Sequence, residues 1–131
     1  MIGIDTNVLI RFIVRDDPEQ TRLATSFIDS LTYEDPGFIT LVSIAEIYWV
    51  LDHSFKTSRN EIYLTIQSLL TSREIVIEDD FLVHAALQHY LQTNADFDDC
   101  LIAECSRARG CDSIVTFDKK AARAIGFTLL R

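Results

Sequence analysis

The stretch NADFDDCLIAECSRARGCDSIVTFD, residues 94–118, decides how this chain is read. Asp96 to Arg109 reads as a helix. Asp96 is its natural N-cap, Asp98 and Asp99 fall in its first turn, and Gly110 is its stop. Ser113 to Phe117 (SIVTF) reads as a short buried strand, and Asp118 follows it directly. Short apolar strands alternating with helices imply a parallel α/β sheet, in which ligands bind beyond the carboxyl ends of the strands. An acid placed just after such a strand is therefore a statement about position as well as charge.

The same arrangement recurs at the other end of the chain. Ile2 to Ile4 reads as a buried strand, Asp5 follows it, and Thr6 to Val14 carries Val8, Leu9, Phe12 and Ile13 at helical spacing. Asp17-Pro18 starts a second helix with Leu23, Phe27, Ile28 and Leu31 apolar, and residues 34–37 (EDPG) form a turn. Phe38 to Leu41 is a strand. A helix from Ser43 follows, with Ile44, Ile47, Val50 and Leu51 apolar and Glu46 in its first turn. Another helix starts near Ser58. Glu74 to Ile77 is a strand and Asp80 to Thr93 a helix. Lys119 to Ile125 and Phe127 to Leu130 close the chain as a short helix and a last strand.

Four carboxylates from distant segments, Asp5, Glu46, Asp99 and Asp118, are thus expected at one rim. Each also has an ordinary explanation. Asp5, Asp96 and Asp118 can cap helices, and Ser43-x-x-Glu46 is a capping-box pattern that Ser58-x-x-Glu61 repeats. Only the joint placement is left unexplained by capping. Bunched carboxylates repel, and the usual remedy is a hard divalent cation. Such an ion activates water and polarises a phosphoryl oxygen, so the pattern suits phosphodiester hydrolysis without a covalent nucleophile.

Composition narrows the field further. In 131 residues, Lys and Arg total 12 and Asp and Glu total 20, a net charge of -8. Proteins that bind nucleic acid by bulk electrostatics are basic, so phosphates can be handled here only through a local patch or a bound metal. The length fits one domain, residues 1–131. No apolar run is long enough to cross a bilayer, and MIGIDTNVLI is no secretory leader. Cys100, Cys105 and Cys111 make a poor disulfide framework and read as thiols of a reducing cytoplasm.

Four blocks in order, IGIDTNVLIRF, LVSIAEIYWVL, residues 94–118 and the tail KKAARAIGF, resemble the PIN-domain ribonucleases, most closely VapC-type toxins of toxin–antitoxin modules. The resemblance implies a three-layer α/β/α fold with a central, mostly parallel sheet of about five short strands. It also implies an endoribonuclease dependent on Mg²⁺ or Mn²⁺, one or two ions, cleaving RNA with a metal-activated water. On its motif Asp5, Glu46, Asp99 and Asp118 are the catalytic metal ligands. Asn7, Ser43 and Thr116 match polar positions beside the site, with Asp96 as a cap or outer carboxylate and Thr6 a weaker candidate. Asp98 falls between motif positions and is expected to face solvent.

Arg11, Arg15, Lys119, Lys120 and Arg123 flank the acidic segments and are candidate RNA contacts. Tyr48, Trp49 and Phe55 are expected largely in the core. The resemblance further implies a homodimer, with an antitoxin segment lying in a groove formed by the early helices. Three alternatives remain: a catalytically silent scaffold of the same fold that binds RNA or protein, a Mg²⁺-binding phospho-receiver module, and a DNA substrate, since four carboxylates and a metal do not distinguish DNA from RNA. The receiver needs an acidic pair after its first strand, and Asp5 stands alone.

Overall fold

The computed structural model describes residues 1–131. They form two compact units, Met1–Asp80 and Phe81–Arg131.

The first unit runs β1 (Ile2–Gly3), α1 (Thr6–Val14), α2 (Pro18–Asp29), β2 (Gly37–Ile39), α3 (Leu41–His53), α4 (Arg59–Thr71) and β3 (Ile75–Ile77). Its strands pair in the order β1-β2-β3, all parallel, with Gly3 opposite Phe38 and Phe38 opposite Val76. Parallel strands need crossover helices, and the intervening helices supply them. Any larger residue at Gly37 would displace the side-chain ends of Ile4 and Leu31. A Cβ there would stand 2.5 Å from Ile4 Cδ1 and 2.9 Å from Leu31 Cδ1.

Helix α3 is the spine of this unit. Ile44, Ile47, Tyr48 and Leu51, at helical spacing, are all buried, as are Leu9, Ile39, Ile62 and Ile66. Burying each of these aliphatic side chains is worth about 1.5–3 kcal/mol before the entropy of ordering the chain is subtracted. The helix begins two residues earlier than the sequence suggests. Thr40 is its N-cap and accepts from Ser43 N at 3.1 Å, while Glu78 accepts from Leu41 N at 2.9 Å. Ser43 is therefore not a cap, and Glu46 lies beyond the first turn, which holds no acid. The capping-box explanation of Glu46 is removed.

Two other local expectations change. Leu23 is 54% exposed, and α2 buries Thr21 and Ala24 instead. Of the three aromatics, Tyr48 is buried, whereas Trp49 is half exposed and stacks on His53 at 4.5 Å. Phe55 is also exposed.

The second unit contains nearly all of α5 (Asp80–Gln92), then α6 (Phe97–Ala108), β4 (Val115–Thr116), α7 (Lys119–Ile125) and β5 (Thr128–Leu129). β4 and β5 pair in parallel. Val83, Ala86, Phe97 and Cys100 are fully buried, and Tyr90 meets Phe97 edge to face at 5.9 Å. Ala103, Ala121 and Phe127 form a small cluster backed by Ile114 and Ile125.

All five expected strands exist and every pairing is parallel. The strands are shorter than expected, at two or three residues each, although Ile4 N still bonds Phe38 O and Leu130 N bonds Thr116 O at their ends. The pairing forms one three-stranded and one two-stranded ladder.

Candidate metal centre

In the first unit the acidic residues are held by hydrogen bonds. Asp5 leaves β1, caps α1 and accepts from Thr6 N at 2.7 Å. Thr6 is buried, and its hydroxyl donates to Glu46 Oε1 at 2.8 Å. That bond joins α1 to α3 across 40 residues of sequence. Thr6, ranked below Asn7 from sequence, is thus the side chain that touches Glu46. Asn7 and Ser43 make no side-chain contact with either carboxylate, and the buried Ser43 serves the α3 cap through its backbone.

The second unit assembles its acids by crowding. Carboxylate oxygens of Asp96, Asp98 and Asp99 lie within 4.8 Å of one another, all three partly buried. Asp96 takes the N-cap position of α6 but makes no capping bond; it pairs with Lys120 Nζ at 2.9 Å. Asp98 accepts from Asp99 N at 2.9 Å. Asp98 therefore belongs to the cluster, against the expectation that it faces solvent. The first turn of α6 carries Asp98 and Asp99 at successive positions, and the bend into the helix brings Asp96 beside them.

Asp118 is fixed from both sides. Its backbone N–H donates to Thr116 Oγ1 at 2.9 Å, and its carboxylate accepts from Lys120 N and Ala121 N at the start of α7. Burial, followed by the charges of Asp98, Asp96 and Asp118, pushes the Asp99 carboxyl up to about 6; Lys120 opposes this. Burial and neighbouring like charges both disfavour the ionised form, and Lys120 offsets them only in part.

This donor set fits a hard divalent ion. It offers carboxylate oxygens only, in a group tight enough for one ion, and the three cysteines contribute nothing to it.

The candidate RNA-contacting cations are variously engaged. Arg11 pairs with Asp16 at 2.9 Å and Gln20 at 2.7 Å, and Arg15 lies over the Phe12 ring at 5.8 Å. Lys120 is held by Asp96, and Arg123 donates to Lys119 O. The Lys119 side chain is exposed on α7.

A parallel α/β chain with carboxylates at the ends of β1 and β4 and at the start of α6 falls in a class built for divalent-ion chemistry. The PIN domain family matches residues 2–126, and the chain belongs to that family. Membership accords with the expected three-layer α/β/α fold and removes the phospho-receiver alternative. The chain is also similar to a VapC ribonuclease of Aquifex aeolicus (strain VF5), at 24% identity over 125 residues. That alignment covers 95% of this chain and 91% of the relative.

Proposed function

We propose that this protein is a divalent-metal-dependent endoribonuclease, the toxin of a toxin–antitoxin pair, working as one domain over residues 1–131. The crowded carboxylates around Asp99 carry the reading, together with family membership and the likeness to a VapC ribonuclease. Asp5, Glu46, Asp99 and Asp118 would hold one or two Mg²⁺ or Mn²⁺ ions. When bound, such an ion supplies Lewis acidity for a phosphoryl oxygen and lowers the pKa of water.

The remaining work falls to the chain. Thr6 fixes the Glu46 carboxylate through its hydroxyl, and Thr116 fixes the backbone that carries Asp118. Asp96, already paired with Lys120, acts as an outer carboxylate. Lys119, Lys120 and Arg123, with Arg11 and Arg15, hold phosphates of the RNA.

The groove along β1, α1 and α2, about 690 Å³ with Ile2, Val8, Leu23 and Phe27 in its walls, is where we place the antitoxin segment. A homodimer in the cytoplasm completes the proposal. No helix is long and apolar enough to cross a membrane.

The test is cleavage of a panel of structured RNAs with Mg²⁺ or Mn²⁺, with EDTA and Asp5→Asn as controls. Cleavage that vanishes under both supports the reading. Activity surviving both sinks it.

A further inference from the structure

A second concavity lies in the first unit, about 430 Å³, between α1 and α3. Asp5 and Glu46 line it, and so do Val50, Ser54 and Phe55. Glu46, Val50 and Ser54 are four residues apart, so they share one face of α3 and span roughly 12 Å along its axis. The cleft therefore leads from the carboxylates to an aromatic ring.

That ring is fixed. Lys56 adopts a left-handed conformation (φ 51), and Thr57 N returns to Leu51 O at 2.9 Å. The turn closes the end of α3 over Phe55, whose own N–H reaches Val50 O. An exposed phenyl ring on a closed turn is a preorganised platform. Lys56, the next residue in the chain, is exposed. Asn7, also lining the cleft, offers an amide with both a donor and an acceptor.

We propose that this cleft seats an unpaired RNA base next to the bond to be cut. Phe55 is its stacking platform, Asn7 reaches its edge, and Lys56 meets the adjoining phosphate. The proposal rests on the ribonuclease reading above. Mixed polarity favours a base over a wholly apolar peptide side chain. Arg11 lines the cleft together with the carboxylates and Lys56 adjoins Phe55 in the chain, so cations are at hand for a backbone phosphate. Stacking on a protein aromatic is tolerant of sequence and substantial in energy.

The experiment compares wild type with Phe55→Ala, Phe55→Leu and Phe55→Trp on a short single-stranded RNA that the wild type cleaves. Phe55→Ala should raise KM at least about fivefold with kcat within about twofold, the pattern of lost binding that does not change between ground and transition state. Phe55→Leu keeps an apolar side chain of similar bulk but lacks the ring, and should show the same loss. Phe55→Trp should restore KM. In a Trp49→Phe background the tryptophan introduced at 55 is the sole one, and RNA should quench its fluorescence.

Wild-type cleavage with an unchanged KM in Phe55→Ala and no quenching overturns the base site alone. So does Phe55→Leu behaving as wild type, which makes the residue a packing element. A changed oligomeric state in Phe55→Ala with unchanged KM assigns the cleft to protein contact and also overturns the proposal. Absence of any divalent-dependent cleavage by wild type removes the ribonuclease reading, and the base site with it.

Discussion

The Asp5–Glu46 pair and the group around Asp99 are both built of carboxylates, and they differ in how closely those carboxylates crowd one another. In the first, each carboxylate has a donor: Thr6 N for Asp5 and the Thr6 hydroxyl for Glu46. In the second, Asp96 is paired with Lys120, Asp98 accepts from Asp99 N and Asp118 accepts from two N–H groups of α7, while burial and then the charges of Asp98, Asp96 and Asp118 raise the Asp99 carboxyl. A carboxylate held by donors is aimed. A carboxylate crowded by its own kind is a standing demand for positive charge. The difference teaches that carboxylates are aimed in the first unit and crowded in the second.

The largest expected effect breaks the second group. Asp99→Asn or Asp118→Asn should lower the cleavage rate by on the order of a hundredfold or more, since several kcal/mol of transition-state stabilisation depend on the ion. Circular dichroism should show the fold retained. A rate within a few-fold of wild type would mean that crowding has no catalytic purpose.

Next comes the aimed pair. Thr6→Val removes the bond to Glu46 while keeping the shape of the side chain. Divalent-ion affinity, followed by Mn²⁺ titration, should fall about 10- to 100-fold, the usual cost of losing a partner that orients a ligand. Thr6→Ser should recover most of it. Unaltered affinity in Thr6→Val would leave that hydrogen bond a purely structural link between α1 and α3.

A smaller effect concerns pH. The folded Asp99 carboxyl titrates at about 6, against 3.8 for the ordinary group. Ionising it therefore penalises the folded state, fully above pH 6 and not at all below about pH 4. In metal-free protein at pH 7, Asp99→Asn should melt higher than wild type, and the gap should close as pH falls from 7 to 4. Partial solvation of the carboxyl keeps the gap small. Thermal melts in EDTA across that range measure it, and a gap independent of pH would remove the crowding account.

The smallest effect is that of Lys120→Ala. Its pair with Asp96 is half exposed, so folding stability should change by about 1 kcal/mol or less. The salt dependence of RNA binding should become shallower if the lysine also meets phosphate. An unchanged salt slope assigns Lys120 to Asp96 alone.

Much of this was legible in advance. The apolar runs at β1, β2, β3, β4 and β5 and the helical spacing in α1 mark those elements, because each is bounded by a cap, a turn or an acid. What escaped depended on contacts between segments far apart. Whether α3 starts at Leu41 or at Ser43 turns on Glu78, 37 residues downstream, reaching back to Leu41 N. Thr6 looks weak alone and gains its meaning from Glu46. Asp98 looks solvent-facing by position, yet joins Asp96 and Asp99 through the bend into α6. Leu23 fits an apolar stripe, but nothing in its local sequence says that Ala24 faces inward instead.

The double employment of Asp5 and Asp118 has a genetic consequence. Both cap helices through side-chain oxygens, and asparagine caps a helix as well as aspartate does. A single transition in either codon converts Asp to Asn, which would leave the helix start intact while deleting a charge. Under the proposed function, such an allele would be harmless to its host and still folded. It would still occupy the partner that restrains the active form, so beside a wild-type copy it would free active enzyme instead of silencing it.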